Sequence, residues 1–185
     1  MRSWLMRLFV AIDLPDPIKD HLLSLKADIP TARWSNRHQM HLTLFFIGET
    51  ERIAEIKAAL AAVEAPSFEL SLSGVGRFPP SDRQPPRVLW AGVDVSPALA
   101  ALHRQITNAL TALGFAADER PFTPHITLAR LKASRPLPAA GAFLNEQRGL
   151  QVGPVPVTEF VLFSSKLSPQ GARYTREAVY ALNQA

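Results

Sequence analysis

One four-residue pattern occurs twice in this chain, as His41-Leu42-Thr43-Leu44 and as His125-Ile126-Thr127-Leu128. Successive side chains of an extended strand point to opposite faces, so in each copy His and Thr share one face while the apolar residues share the other. A histidine opens such a string by chance about once in a thousand at average amino-acid usage. Two of the five histidines do so here. The chain must therefore fold around two strands that each have an apolar core side and a side bearing the same chemistry.

The remaining sequence supplies ample core for this. With 185 residues, 47% of them hydrophobic, a single domain spanning 1–185 is expected to fold alone. Cysteine is absent, which removes disulfides, thiolate nucleophiles and cysteine-based zinc sites. The apolar run near the N-terminus is broken by Arg7 and closed by Asp13, and no small-residue cleavage site follows. It reads as neither a signal peptide nor a membrane span, so a soluble cytoplasmic protein is expected. The formal charge of +4 and the excess of arginine over lysine, fifteen to five, suit a phosphate-bearing ligand. A genome rich in G+C produces the same arginine excess.

Along the chain, Leu8–Leu14 reads as a buried strand, and Pro15-Asp16-Pro17 opens a helix expected to reach about Ile29. A short strand at Arg33-Trp34 leads to the first His-Thr strand, ending near Gly48. Ile53, Ile56, Leu60 and Val63 recur at helical spacing within a Glu51–Val63 helix. Phe68–Val75 alternates as a strand does, and Arg77–Arg87 is a proline-rich basic loop. The second half then repeats the first. Arg87–Asp94, Ser96-Pro97 and a helix from about Ala98 to Leu113 match Arg7–Asp13, Pro15 and its helix, and each series arrives at a His-x-Thr strand. Pro136–Gly149 carries no clear pattern. Strands follow around Gln151–Val157, Glu159–Ser165 and Tyr174–Leu182. Two copies of a long unit imply two pseudo-symmetric, intertwined lobes, with the His-Thr faces opposed across a groove.

Two opposed His-Thr pairs suit phosphodiester chemistry. A neutral imidazole can take a proton from an attacking oxygen while an imidazolium protonates the leaving oxygen, because histidine supplies both forms near neutrality. In-line displacement needs the two on opposite sides of the phosphate. Each Thr hydroxyl can donate to a non-bridging oxygen. Spacing does not say which histidine is the acid, and a bell-shaped pH–rate profile is expected.

These residues resemble the two-histidine phosphoesterases, and within them the bacterial and archaeal RNA 2′,3′-cyclic phosphodiesterases, also called 2′-5′ RNA ligases. The resemblance runs through Arg7–Asp13, Arg33-Trp34, His41–Gly48, Arg87–Val93, Arg120–Arg130 and Ser165–Gly171 with Tyr174. Family members look like beginning at a Met-Arg-Leu string, which makes Met6 a candidate start and Met1–Leu5 an extension. The resemblance implies a bilobal α+β fold, with antiparallel sheets flanking a central groove and helices outside. It implies hydrolysis of a terminal RNA 2′,3′-cyclic phosphate to a 2′-phosphate, with His41 as proton donor, His125 as proton acceptor, and no metal or cofactor. Reversible 2′-5′ joining of RNA ends is a related reaction. The expected partners are single-stranded RNA ends, tRNA fragments among them, met by a monomer.

Phe46 and Arg130 each lie five residues after their histidine. Regular pleating would turn them away from the groove, whereas a bulge can re-aim them, and together they could clamp a terminal base by stacking and cation–π contact. An ordinary core position is the competing reading for Phe46. His21, His38 and His103 read as surface or half-buried residues, Arg77, Arg83 and Arg87 as a solvated loop or a steering patch, and Tyr174 as groove lining or sheet packing. A zinc site lacks a third ligand of suitable spacing. A phosphodiesterase for small cyclic nucleotides or 2′-5′ oligonucleotides would use the same groove, and so would a non-catalytic module that binds RNA ends.

Overall fold

A computed structural model describes residues 5–184; the proposed extension Met1–Leu5 therefore lies outside the described residues except for Leu5. Strand β1 (Met6–Asp13) leads through helix α1 (Asp16–Leu23), β2 (Ala32–Trp34) and a 3₁₀ turn at Arg37–Gln39 into β3 (His41–Thr50). Helix α2 (Ile53–Ala61), β4 (Phe68–Phe78), β5 (Val88–Val93), α3 (Pro97–Ala112) and β6 (His125–Leu131) follow. Helix α4 (Pro138–Glu146) and strands β7 (Gln151–Val157), β8 (Glu159–Ser168) and β9 (Gly171–Ala181) complete the chain.

The strands form two antiparallel sheets, ordered β3-β1-β8-β9 and β2-β6-β5-β4-β7. One His-Thr strand lies in each sheet, and each pairs with the strand that precedes its helix: β3 with β1, β6 with β5. The chain weaves between the sheets, since β2 and β4 from the first half join the second sheet and β8 and β9 close the first.

Most of the core is one apolar layer. Leu8, Val10, Ile12, Leu42 and Leu44 from the first sheet and Leu89, Ala91, Ile126 and Leu128 from the second pack with Ile18, Leu22, Ile56, Leu60, Leu99, Leu102, Ile106 and Leu110 from the helices. Full burial contributes about 1.5–3 kcal/mol for each large apolar side chain. A smaller second layer of Phe9, Ala11, Val161 and Phe163, with Tyr174 against it, lies on the other face of β1 and β8. Both faces of β1 are thus apolar, which explains why Leu8–Ile12 reads as an unbroken hydrophobic run.

Four expectations need correction. Helix α1 ends at Leu23, six residues short of Ile29, because the Ser24 hydroxyl and N–H both turn back to the His21 carbonyl and the Leu25 and Lys26 N–H groups make tight three-residue returns. The featureless Pro136–Gly149 segment contains α4, whose start has Pro138 but no side-chain cap. Its Phe143 meets Trp34 edge-on at 5.4 Å between centroids, so packing rather than local signal holds it. Arg77 and Phe78 belong to β4, not to the loop, and β9 begins at Gly171 rather than Tyr174.

Candidate active site

The two His-Thr strands share a defect as well as a sequence. On β3, Val10 pairs with Phe45 but Ala11 pairs with Thr43, leaving Leu44 as an extra residue; on β6, Leu89 pairs with Ala129 but Trp90 with Thr127, leaving Leu128 extra. A bulge of this kind shifts pleat parity by one. The face of β1 formed by Phe9, Ala11 and Asp13 is therefore opposite Phe46, Thr43 and His41, and the face of β5 formed by Val88, Trp90 and Gly92 is opposite Arg130, Thr127 and His125. Each strand presents the same trio on one face: histidine, threonine, and the residue five positions after the histidine. The paired buried residues Leu44-Phe45 and Leu128-Ala129 are the mark of the bulge in the burial pattern. Phe46 accordingly is no core residue; it is 59% exposed and stacks on Phe9 at 5.7 Å between centroids.

The approach to each histidine is fixed locally. Asn36 caps the 3₁₀ turn through the N–H groups of His38 and Gln39, and the Gln39 side chain returns the bond to the Asn36 N–H. Arg37 ties this turn to Asp16 and Asp20 on α1. The His41 ring bonds to the Gln39 main chain, two residues upstream. In the second copy, His125 Nδ1 lies 3.0 Å from the Thr123 carbonyl, again two residues upstream. With Nδ1–H donating there, Nε2 of His125 is left for substrate.

The surroundings differ. His41 is enclosed by Phe9 (4.9 Å), Tyr174 (5.0 Å, edge-on) and Phe163 (6.0 Å). Burial pushes its imidazole down to about 4, opposed by the Asp13 carboxylate and the Gln39 bond and assisted by the charges of Lys19 and Arg130. Arg130 is on the second sheet, whose strand β6 is packed beside β3 of the first. Asp13, directly opposite His41 in the ladder, accepts from Lys19 Nζ at 2.7 Å and from Arg176 at 2.8 Å. Burial alone would raise its carboxyl, but these two cations hold it below the usual carboxylate range. His125 lies against Phe78 (5.0 Å, edge-on) and Trp90 (6.1 Å), and the Trp90 indole is laid across Gly76, where a Cβ would stand 2.1 Å from the ring.

His38 is exposed, as expected, yet it lines a cavity of about 150 Å³ with Asp13, Lys19, His41, Phe163, Tyr174 and Arg176. Tyr174 thus lines the site. His21 lies away on α1, and His103 stacks on Phe122 at 3.7 Å. Arg77 holds the following loop through the Pro79 and Gln84 carbonyls rather than reaching into solvent. Asp13, Lys19, Arg176 and Trp90 were not singled out from the sequence. Asp13 had a signal, since it closes β1 at the position opposite a histidine; Arg176 had none, because it arrives from 163 residues away. Among the described residues no helix is long and apolar enough to cross a membrane.

Two antiparallel sheets, each presenting one His-x-Thr strand with its partner strand and bulge, define a two-histidine phosphoesterase. A model of the 2′-5′ RNA ligase superfamily matches residues 14–168. An RNA 2′,3′-cyclic phosphodiesterase of Aeropyrum pernix is 40% identical over 137 residues, covering 72% of this chain and 77% of its own, and one of Thermotoga maritima is 34% identical over 177 residues, covering 91% of both. The structure of Escherichia coli LigT complexed with 3′-AMP superposes with a TM-score of 0.77 at 29% identity, over 98% of this chain and 100% of that one. This chain belongs to the 2′-5′ RNA ligase superfamily.

Proposed function

We propose that this protein hydrolyses the 2′,3′-cyclic phosphodiester at an RNA end to a 2′-phosphomonoester. The observation that carries this reading is the duplicated presentation of histidine, threonine and a fifth residue from two neighbouring strands. The names of its relatives agree with it.

Water attacks phosphorus and gives its proton to His125; the bond from phosphorus to O3′ breaks, and O3′ takes a proton from His41. Thr43 and Thr127 donate to the non-bridging oxygens, where charge accumulates. Phe46 stacks on the terminal base and Arg130 covers it. In the free protein His41 is neutral above about pH 4, so its donor form arises on binding, when the anionic phosphate joins Asp13 in favouring the imidazolium. An RNA 5′-hydroxyl taking the place of water gives a 2′-5′ linkage by the same steps. The enzyme acts in the cytoplasm on single-stranded RNA ends.

The test is a short RNA ending in a 2′,3′-cyclic phosphate, incubated in EDTA with the wild type, His41→Ala and His125→Ala. A 2′-phosphate end from the wild type, with each variant slower by about 10²–10⁴-fold, is expected. A 3′-phosphate product, or full activity in either variant, overturns the mechanism, and absence of turnover overturns the enzymatic reading.

A further inference from the structure

Arg33 lies directly opposite Arg130 in the β2–β6 ladder, so the two guanidinium groups leave the sheet on the same face. That is also the face of His125 and Thr127. Like charges directly opposite one another destabilise a strand pair. Neither arginine has a carboxylate within ion-pair distance or a side-chain hydrogen bond among the described residues, although Arg37, Arg52, Arg120 and Arg176 are all paired. Trp34, the next residue, turns the other way and packs on Phe143, which leaves Arg33 exposed.

The position of Arg33 is set from the first sheet as well. Its guanidinium lies against the β8–β9 turn, where a Cβ on Gly171 would be 3.5 Å from Arg33 Nη1 and 3.2 Å from Gln39 Nε2. Gly171 has φ +111, a conformation that favours glycine, and Gln39 Nε2 donates to the adjacent Ala172 carbonyl at 3.3 Å. Arg33 therefore stands where the two sheets meet, one side-chain spacing from Arg130 and beside the turn that leads into His41.

We propose that Arg33 binds the phosphate 5′ of the terminal nucleoside, the one that joins it to the rest of the RNA strand. This rests on the functional reading above and extends it from the cyclic phosphate to the strand that carries it. A cyclic phosphate between the histidines and a base under Arg130 leave the next anionic group of an RNA chain as the ligand for the unpaired neighbour of Arg130. A planar guanidinium suits a phosphate through two parallel hydrogen bonds. The phosphate then supplies Arg33 with the counter-charge it lacks, offsetting its repulsion from Arg130 across the ladder.

Calorimetry with two stable products isolates this contact and does not depend on turnover. Adenosine 2′,5′-bisphosphate carries the extra phosphate; adenosine 2′-monophosphate lacks it. The wild type is expected to bind the bisphosphate about tenfold more tightly, and Arg33→Ala to lose that advantage while binding the monophosphate within about twofold of wild type. Arg33→Lys should restore part of it, and the salt slope for the bisphosphate should be shallower in Arg33→Ala by about 0.7. An advantage that survives in Arg33→Ala, an equal loss for both ligands, or no advantage in the wild type overturns the proposal. Failure of the functional reading is a separate result, namely no turnover of a cyclic-phosphate end by the wild type.

Discussion

Asp13 and His41 face one another across the β1–β3 ladder, and the carboxylate so placed is held from two other elements, by Lys19 of α1 and Arg176 of β9. Lys19 is one of only two buried polar or charged residues among those described, at 8% exposure. The triad therefore ties helix α1, the inner strand β1 and the edge strand β9 to a candidate catalytic imidazole on the opposite edge strand, β3.

Replacing Asp13 with Asn strands the largely buried Lys19 without its counter-charge. A loss of about 2 kcal/mol is expected, less than for a fully buried pair because Asp13 and Arg176 are partly exposed. The Asp13 pKa is lowered on folding, so its stabilisation is present above the unfolded value near 4 and lost as pH falls through the folded one. Urea unfolding at pH 7 and pH 3 should show the wild type and Asp13→Asn converging at the lower pH.

His41 gives stability a second pH dependence. Its pKa falls from 6.5 in the unfolded chain to about 4 in the folded one, so the unfolded state binds the extra proton between those values. Stability is then full above about pH 6.5 and declines by about 3 kcal/mol as pH drops to 4. His41→Gln should flatten this part of the Tm–pH curve; an unchanged slope would refute the burial argument.

The division of labour between the histidines is read from a single-histidine enzyme. In His125→Ala the residual kcat/KM is expected to fall tenfold per pH unit above about 4, as His41 loses the proton it must donate. A residual rate that rises to a plateau above that pH would make His41 the acceptor instead.

Gly76 supports the second histidine from beneath. A Cβ at Gly76 would stand 2.1 Å from the Trp90 ring, and Trp90 is opposite Thr127 and close to His125. Gly76→Ala must displace the indole, at a cost of about 1–3 kcal/mol for overpacking. Because the displaced ring lies beside the reacting groups, kcat should drop by a larger factor than the stability loss explains at a temperature where the variant is fully folded. Wild-type kcat in a folded Gly76→Ala protein would show that Trp90 is only packing.

The strands and the helix at Pro97–Ala112 were legible because apolar spacing and proline placement mark them locally. Helix α4 was not, since Pro138, Gly141 and a narrow apolar face make a weak helix until Trp34 packs on it. The four polar site residues were visible as a repeated pattern, but the aim of Phe46 and Arg130 depended on bulges at Leu44 and Leu128 that no residue type announces.

The sequence by itself determined that two strands would each present His and Thr on one face, because pleating has a period of two and the residues between them are apolar. Only the tertiary structure decided what else joins them. An extra residue on each motif strand, Leu44 against β1 and Leu128 against β5, turns Phe46 and Arg130 onto the same face as the histidines. Long-range pairing brings Arg176, Tyr174 and Arg33 to positions that their local sequence does not specify. The physical reason is that side-chain direction along a strand is a local property of the backbone, whereas register, bulges and the neighbours across a ladder are set by which distant segments bury each other's apolar faces.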